Sequence, residues 1–133
     1  MQSPKSGRGR VTLVIEDDHA VRRMLRLALA RGGFDVVEVD TGTKALACLE
    51  EGSIDVVVLD LGLPDSRASD VLACLHAHGE RPPWLVISAV DRAEARRIDS
   101  TIGTRFVAKP FDPWVLLERI TALTGEIEEG AKE

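Results

Sequence analysis

The chain has 133 residues, with 17 Lys or Arg against 22 Asp or Glu for a formal charge of −5, and 44% of it is hydrophobic. This is the length of one ordinary domain, and the acidic balance argues against a general nucleic-acid or anionic-membrane binder, which would carry a basic field. No apolar run approaches the ~20 residues of a membrane span, and the two cysteines, Cys48 and Cys74, are too few for a disulfide scaffold and fit a reducing, cytoplasmic setting.

Residues 1–9 read as a flexible basic leader with no signal-peptide core behind it. A first strand is predicted at Val11–Ile15 (VTLVI). The helix after it places Val21, Met24, Leu25, Ala28 and Leu29 on one face, with Asp18 to cap it and Gly32-Gly33 to end it. A second strand, Asp35–Val39, leads to a short helix after Thr43 that carries Ala45, Leu46 and Leu49 and stops at Gly52. The third strand is Asp55–Leu59. The third helix buries Val71, Leu72 and Leu75 and ends at Gly79, with Pro82-Pro83 beyond. A fourth strand at Trp84–Ile87 precedes a polar helix, Asp91–Ser100, which has only Ala93, Ala95 and Ile98 to bury. The fifth strand is Arg105–Ala108. The last helix opens with Asp112 as cap and Pro113 at its first position, then buries Leu116, Ile120 and Leu123. Residues 126–133 read as an acidic, frayed tail, leaving 10–125 as the domain.

The near-continuous apolar runs VTLVI, DVVVL and WLVI fit strands covered on both faces. Strand–helix alternation repeated five times then predicts an α/β fold: a doubly wound five-stranded parallel sheet with helices on both faces. Ligands gather at the carboxyl ends of the strands in such sheets. Those ends carry Glu16-Asp17-Asp18, Asp60, Ser88 and Lys109. A lone acidic residue at a strand end is usually a helix cap. Three carboxylates meeting on one edge repel unless a cation neutralises them, and Mg²⁺, which takes few carboxylates and keeps its waters, suits Glu16, Asp17 and Asp60. With Lys109 and Ser88 to meet phosphoryl oxygens, the set supports phosphoryl transfer onto a carboxylate.

Over about residues 10–124 the chain resembles the receiver domains of two-component response regulators, through VTLVIEDD, DVVVLDLGLPD, LVISA and FVAKPF. The resemblance implies the flavodoxin-like receiver fold, Asp60 as phosphoacceptor, and Mg²⁺ held by Glu16, Asp17, Asp60 and the backbone carbonyl of Gly62. It implies that Ser88 and Lys109 meet the phosphoryl group, that Phe106 is the aromatic switch, and that Lys109-Pro110 is a cis peptide. The implied phosphodonor is a sensor histidine kinase or a histidine phosphotransfer protein. The implied output is a downstream protein met through the fourth helix, fifth strand and fifth helix, with no direct nucleic-acid or membrane contact and no turnover of a separate substrate. Three departures stand out. Arg67-Ala68 replaces the usual acidic or Asn residue followed by Gly. The Ser88–Lys109 separation is 21 residues, one short of expectation, and Gly103-Thr104 stands in place of Gly-Ala; Asp18 extends the acidic cluster and reads as a cap.

Other residues read more plainly. His19 is a first-turn surface residue, and His76 and His78 point apart on a helix. Arg22, Arg23 and Arg26 form a solvated face, and Met24 is core. The segment read as following the last helix is too short for an attached output domain, so the expectation is a stand-alone regulator or phosphorelay intermediate, or a receiver excised from a larger protein such as a hybrid histidine kinase. The rivals are a degenerate receiver that binds proteins without phosphorylation and a small Asp-nucleophile phosphatase. Asp60-Leu61-Gly62 lacks the second Asp of such enzymes.

Overall fold

The structure, a computed structural model, describes residues 9–79 and 81–132, and side chains as far as Gly125. Most of the leader, residues 1–8, lies outside the described residues. Five strands alternate with five helices: β1 (Val11–Ile15), α1 (His19–Arg31), β2 (Asp35–Val39), α2 (Gly42–Glu51), β3 (Val56–Asp60), α3 (Ala68–Ala77), β4 (Trp84–Ser88), α4 (Arg92–Ile98), β5 (Phe106–Ala108) and α5 (Pro113–Lys132). The strands form one parallel sheet in the order β2-β1-β3-β4-β5. The chain reverses its winding at β1, so the carboxyl ends of β1 and β3 open a crevice on one edge.

Alternate residues of the strands feed two cores. Leu13, Ile15, Val57, Leu59, Trp84, Val86 and Phe106 face α2, α3 and α4, where Val71, Leu72, Leu75 and Ala95 meet them. Val14, Val56, Val58, Leu85 and Ile87 face α1 and α5, against Leu25, Leu29, Leu116 and Ile120. Burial on both faces is why these strands read as continuous apolar runs rather than alternating ones.

The helix ends follow local chemistry. Asp18 accepts from Val21 N and caps α1, while Asp91 accepts from Glu94 N at the start of α4. Asp112 accepts from Trp114 N just ahead of Pro113. The second helix begins at Gly42 rather than after Thr43, because Thr41 is the residue whose side chain accepts from Lys44 N.

Several expectations are corrected. The fourth helix spans Arg92–Ile98, shorter than expected, and Ile98 stands 43% exposed, while Ala93 also faces outward. Ile102, in the following turn, fills the core position instead. Met24 is half-buried in a shallow groove with Leu27 and Trp114, outside both cores. The fifth helix runs on to Lys132 and so takes in residues 126–132, the segment set apart as a tail.

Candidate functional site

The acidic turn that follows β1 sets one wall of the site. Glu16 is fully buried, whereas Asp17, the next residue, is exposed. From β3, Asp60 reaches the same edge at 5% exposure, and its carboxylate accepts from Gly62 N at 3.1 Å. Oxygens of Glu16, Asp17 and Asp60 all lie within 4.8 Å of one another, the one acidic grouping of this kind among the described residues.

Lys109, just past β5, closes the cluster. Its Nζ lies 2.6 Å from Glu16 Oε1 and 3.4 Å from Asp60 Oδ2. Burial pushes the Glu16 carboxyl up to about 7, against the opposing pull of the Lys109 and Asp18 N–H hydrogen bonds. Burial works to lower the Lys109 ammonium, but the Glu16 hydrogen bond and the Asp60 and Glu16 charges outweigh it and hold the group above its ordinary value. One ammonium therefore faces three carboxylates, an arrangement with an unmet need for positive charge.

Ser88 ends β4 beside Asp60, which pairs in register with Ile87. The Ser88 side chain is buried and its Oγ accepts from Val90 N at 3.2 Å, while its carbonyl accepts from Lys109 N at 2.8 Å. This main-chain bond fixes the hydroxyl-bearing and ammonium-bearing strand ends to each other. Phe106 is turned into the core, with the Arg92 guanidinium 5.9 Å above its ring. Lys109-Pro110 is cis, as expected, and Arg81-Pro82 is a second cis bond that sequence reading missed.

The Arg67-Ala68 departure has a structural answer. The positive φ in this loop falls on Ser66 (φ 58), and Ala68 begins α3 with its side chain buried, so no glycine is needed at 68. Asp65 accepts from Gly42 N, Thr43 N and Thr43 Oγ1 at 3.0–3.1 Å, fastening the loop after β3 to the start of α2. The hydrogen bonds from Thr43 and Gly42 hold the Asp65 carboxyl below its usual range. Arg67 adds a bond from Nη1 to Thr43 Oγ1 and one from Nε to Asp70.

The remaining histidines and cysteines are occupied elsewhere. His76 pairs with Asp99 at 3.1 Å and His78 meets the Cys74 carbonyl at 2.8 Å. Cys48 and Cys74 are free thiols, each half-buried. Sequence reading also missed Arg22, assigned to a solvated face: its guanidinium turns back onto the acidic turn. The signal was its position five residues after Asp17, one helical turn into α1.

The fold thus presents a crevice at the switch point of a parallel α/β sheet, lined by three carboxylates, a hydroxyl and a lysine. Residues 12–121 match the model of the response regulator receiver domain, and the chain belongs to that family. It is similar to the transcriptional regulatory protein KdpE of Mycobacterium tuberculosis, 34% identical over 112 residues that make up 84% of this chain and 50% of that protein. The DNA-binding response regulator MtrA of Mycobacterium leprae is 32% identical over 110 residues, 83% of this chain and 49% of its own. The chain thus spans about half the length of the curated relatives it matches. Among solved structures, the Francisella response regulator 1452 receiver domain superposes with a TM-score of 0.79 at 23% identity, covering 90% of this chain and 99% of that one. A response regulator receiver protein from Burkholderia phymatum gives 0.73 at 28% identity, covering 87% and 95%.

Proposed function

We propose that this receiver domain takes a phosphoryl group on Asp60 and uses it as a signal. The observation that carries the reading is the convergence of Glu16, Asp17, Asp60 and Lys109 on one crevice, with carboxylate oxygens within 4.8 Å of one another and the ammonium within 3.4 Å of Asp60. The donor set fits Mg²⁺: hard oxygens only, two of the three residues buried, and more negative charge than Lys109 neutralises. Glu16, Asp17 and Asp60, with the Gly62 carbonyl, would hold it. When bound, Mg²⁺ supplies charge neutralisation that lets an anionic phosphoryl group approach a carboxylate.

In the transfer, an Asp60 oxygen attacks phosphorus while the bond from phosphorus to the donor's imidazole nitrogen breaks. The donor ring leaves protonated on its other nitrogen; the departing nitrogen keeps the electron pair, giving a neutral imidazole and an acyl phosphate on Asp60. Lys109 meets one phosphoryl oxygen and the Ser88 hydroxyl donates to another. Such transfer is mostly positioning and electrostatics, and no separate substrate is turned over. The phosphodonor is a sensor histidine kinase or phosphotransfer protein, in the cytoplasm. The output is a change at the α4–β5–α5 face, with Phe106 as its aromatic switch. No helix among the described residues is long and apolar enough to cross a membrane. The relatives named as DNA-binding or transcriptional regulators are about twice as long. The DNA-binding activity named for those relatives is thus not assigned to this domain, and the acidic receiver itself engages proteins.

The test is incubation with Mg²⁺ and acetyl phosphate, read by intact mass beside Asp60→Asn. One added phosphoryl group that requires both Mg²⁺ and Asp60 is expected. No adduct, together with no structural change on adding beryllofluoride, would replace this reading with a phosphorylation-independent binding module.

A further inference from the structure

We propose that Arg22, which lies outside every motif of the site, is a positioning residue that sets the affinity for Mg²⁺ by fixing the acidic turn from behind. The inference rests on the reading of the site given above.

Asp17 is exposed, so its carboxylate is not held by packing, and its place depends on the backbone of the turn. The hydrogen bonds of that turn are accounted for. Glu16 N donates to Val39 O at 3.1 Å, and Asp18 N donates to Glu16 Oε2 at 3.0 Å. The carbonyls of Glu16 and Asp17 both accept from Arg22 Nη1, at 2.9 and 3.2 Å. Arg22 is itself anchored: Nε lies 3.4 Å from Glu38 Oε1, and Nη2 lies 3.1 Å from His19 Nδ1. Its side chain is 17% exposed. Glu38 belongs to β2 and is also held by Arg26 Nη1 at 3.0 Å. A continuous connection thus runs from β2 through Glu38 and Arg22 to Glu16 and Asp17, two of the three residues that carry the metal-facing carboxylates.

Three different nitrogens of one planar group serve three directions, which a lysine ammonium on a flexible stem cannot reproduce. Charge alone has the opposite consequence. A fixed cation beside the site repels Mg²⁺, so removing it would tighten binding if charge were all that Arg22 contributed. Positioning predicts weaker binding, so the sign of the effect separates the two.

The experiment titrates Mg²⁺ into the full chain by calorimetry at constant ionic strength, for wild type, Arg22→Gln, Arg22→Lys and Asp17→Asn. Acetyl phosphate labelling is followed at saturating Mg²⁺, and thermal unfolding checks the fold. Arg22→Gln is expected to raise the Mg²⁺ dissociation constant about three- to tenfold, as for the loss of one or two net hydrogen bonds. Its labelling rate at saturating Mg²⁺ is expected to stay within about twofold of wild type. Arg22→Lys is expected to fall between the two, and it carries the test if Arg22→Gln fails to fold. An unchanged or tighter dissociation constant overturns the proposal, as does a saturated labelling rate that falls as far as the affinity. A wild-type chain that binds no Mg²⁺ and behaves like Asp17→Asn would overturn the reading of the site itself, and the Arg22 proposal with it.

Discussion

Replacing Glu16 with Gln and following stability against pH without divalent cations isolates the titration of one buried carboxyl. In the unfolded chain this group releases its proton near 4.5, whereas in the folded protein burial holds the proton until about 7. Between those values the folded state binds more protons than the unfolded one, so its stability falls as pH rises. The full displacement corresponds to about 3 kcal/mol at ~1.4 kcal/mol per pH unit, and the part falling between pH 5 and 8 is about 2–3 kcal/mol. Other shifted groups lie outside this window. Lys109 is raised above 10.5, so its contribution is fully present throughout, and the lowered Asp40, Asp65 and Asp99 titrate below 3.8. Urea unfolding in EDTA should therefore show wild type losing about 2–3 kcal/mol relative to Glu16→Gln from pH 5 to 8. Saturating Mg²⁺ should remove much of the slope, since bound cation favours the ionised carboxylate. Parallel profiles, or wild type gaining on the variant as pH rises, would refute the argument that a desolvated Glu16 sits unevenly balanced against Lys109.

Two glycines should respond oppositely to the same change. A Cβ on Gly42 would lie 2.6 Å from Arg67 Cβ and 3.1 Å from its backbone, so Gly42→Ala should cost about 1–3 kcal/mol as overpacking. Gly125, in α5, has nothing within 4 Å, so Gly125→Ala should stabilise by up to about 1 kcal/mol, both read by thermal unfolding. Asp65→Ala should lower the melting temperature by freeing the start of α2 from the loop after β3. Because that carboxyl titrates below its ordinary 3.8, the difference from wild type should shrink as the pH falls below 3.8; a difference that persists at low pH would mean the carboxylate's charge is not what holds the loop.

Much of the site was legible in the chain because a parallel α/β sheet presents its strand ends on one edge. Glu16-Asp17, Asp60, Ser88 and Lys109 each follow or end an apolar run, so finding the runs located the groups. Less legible were interactions in which a side chain leaves its own element. Arg22 sits on what reads as a polar helix face, yet it bonds the turn before that helix and a carboxylate on β2. Asp65 reads as part of a loop motif, yet it serves the start of a helix more than twenty residues earlier in the chain.

Local pattern and composition by themselves determined the five strands, the five helices, the two-faced burial and the list of groups at the sheet edge. Those features depend on periodicity and on the residues flanking each run, which are short-range properties. Only the tertiary structure decided that Ile102 rather than Ile98 fills the core below α4, and that Ser66 rather than residue 68 takes the positive φ. The same holds for Glu16, whose proton affinity rises because its carboxyl lies wholly out of water, against the opposing pull of Lys109. Desolvation and pairing depend on which elements close over a group, and no spacing along the chain records that.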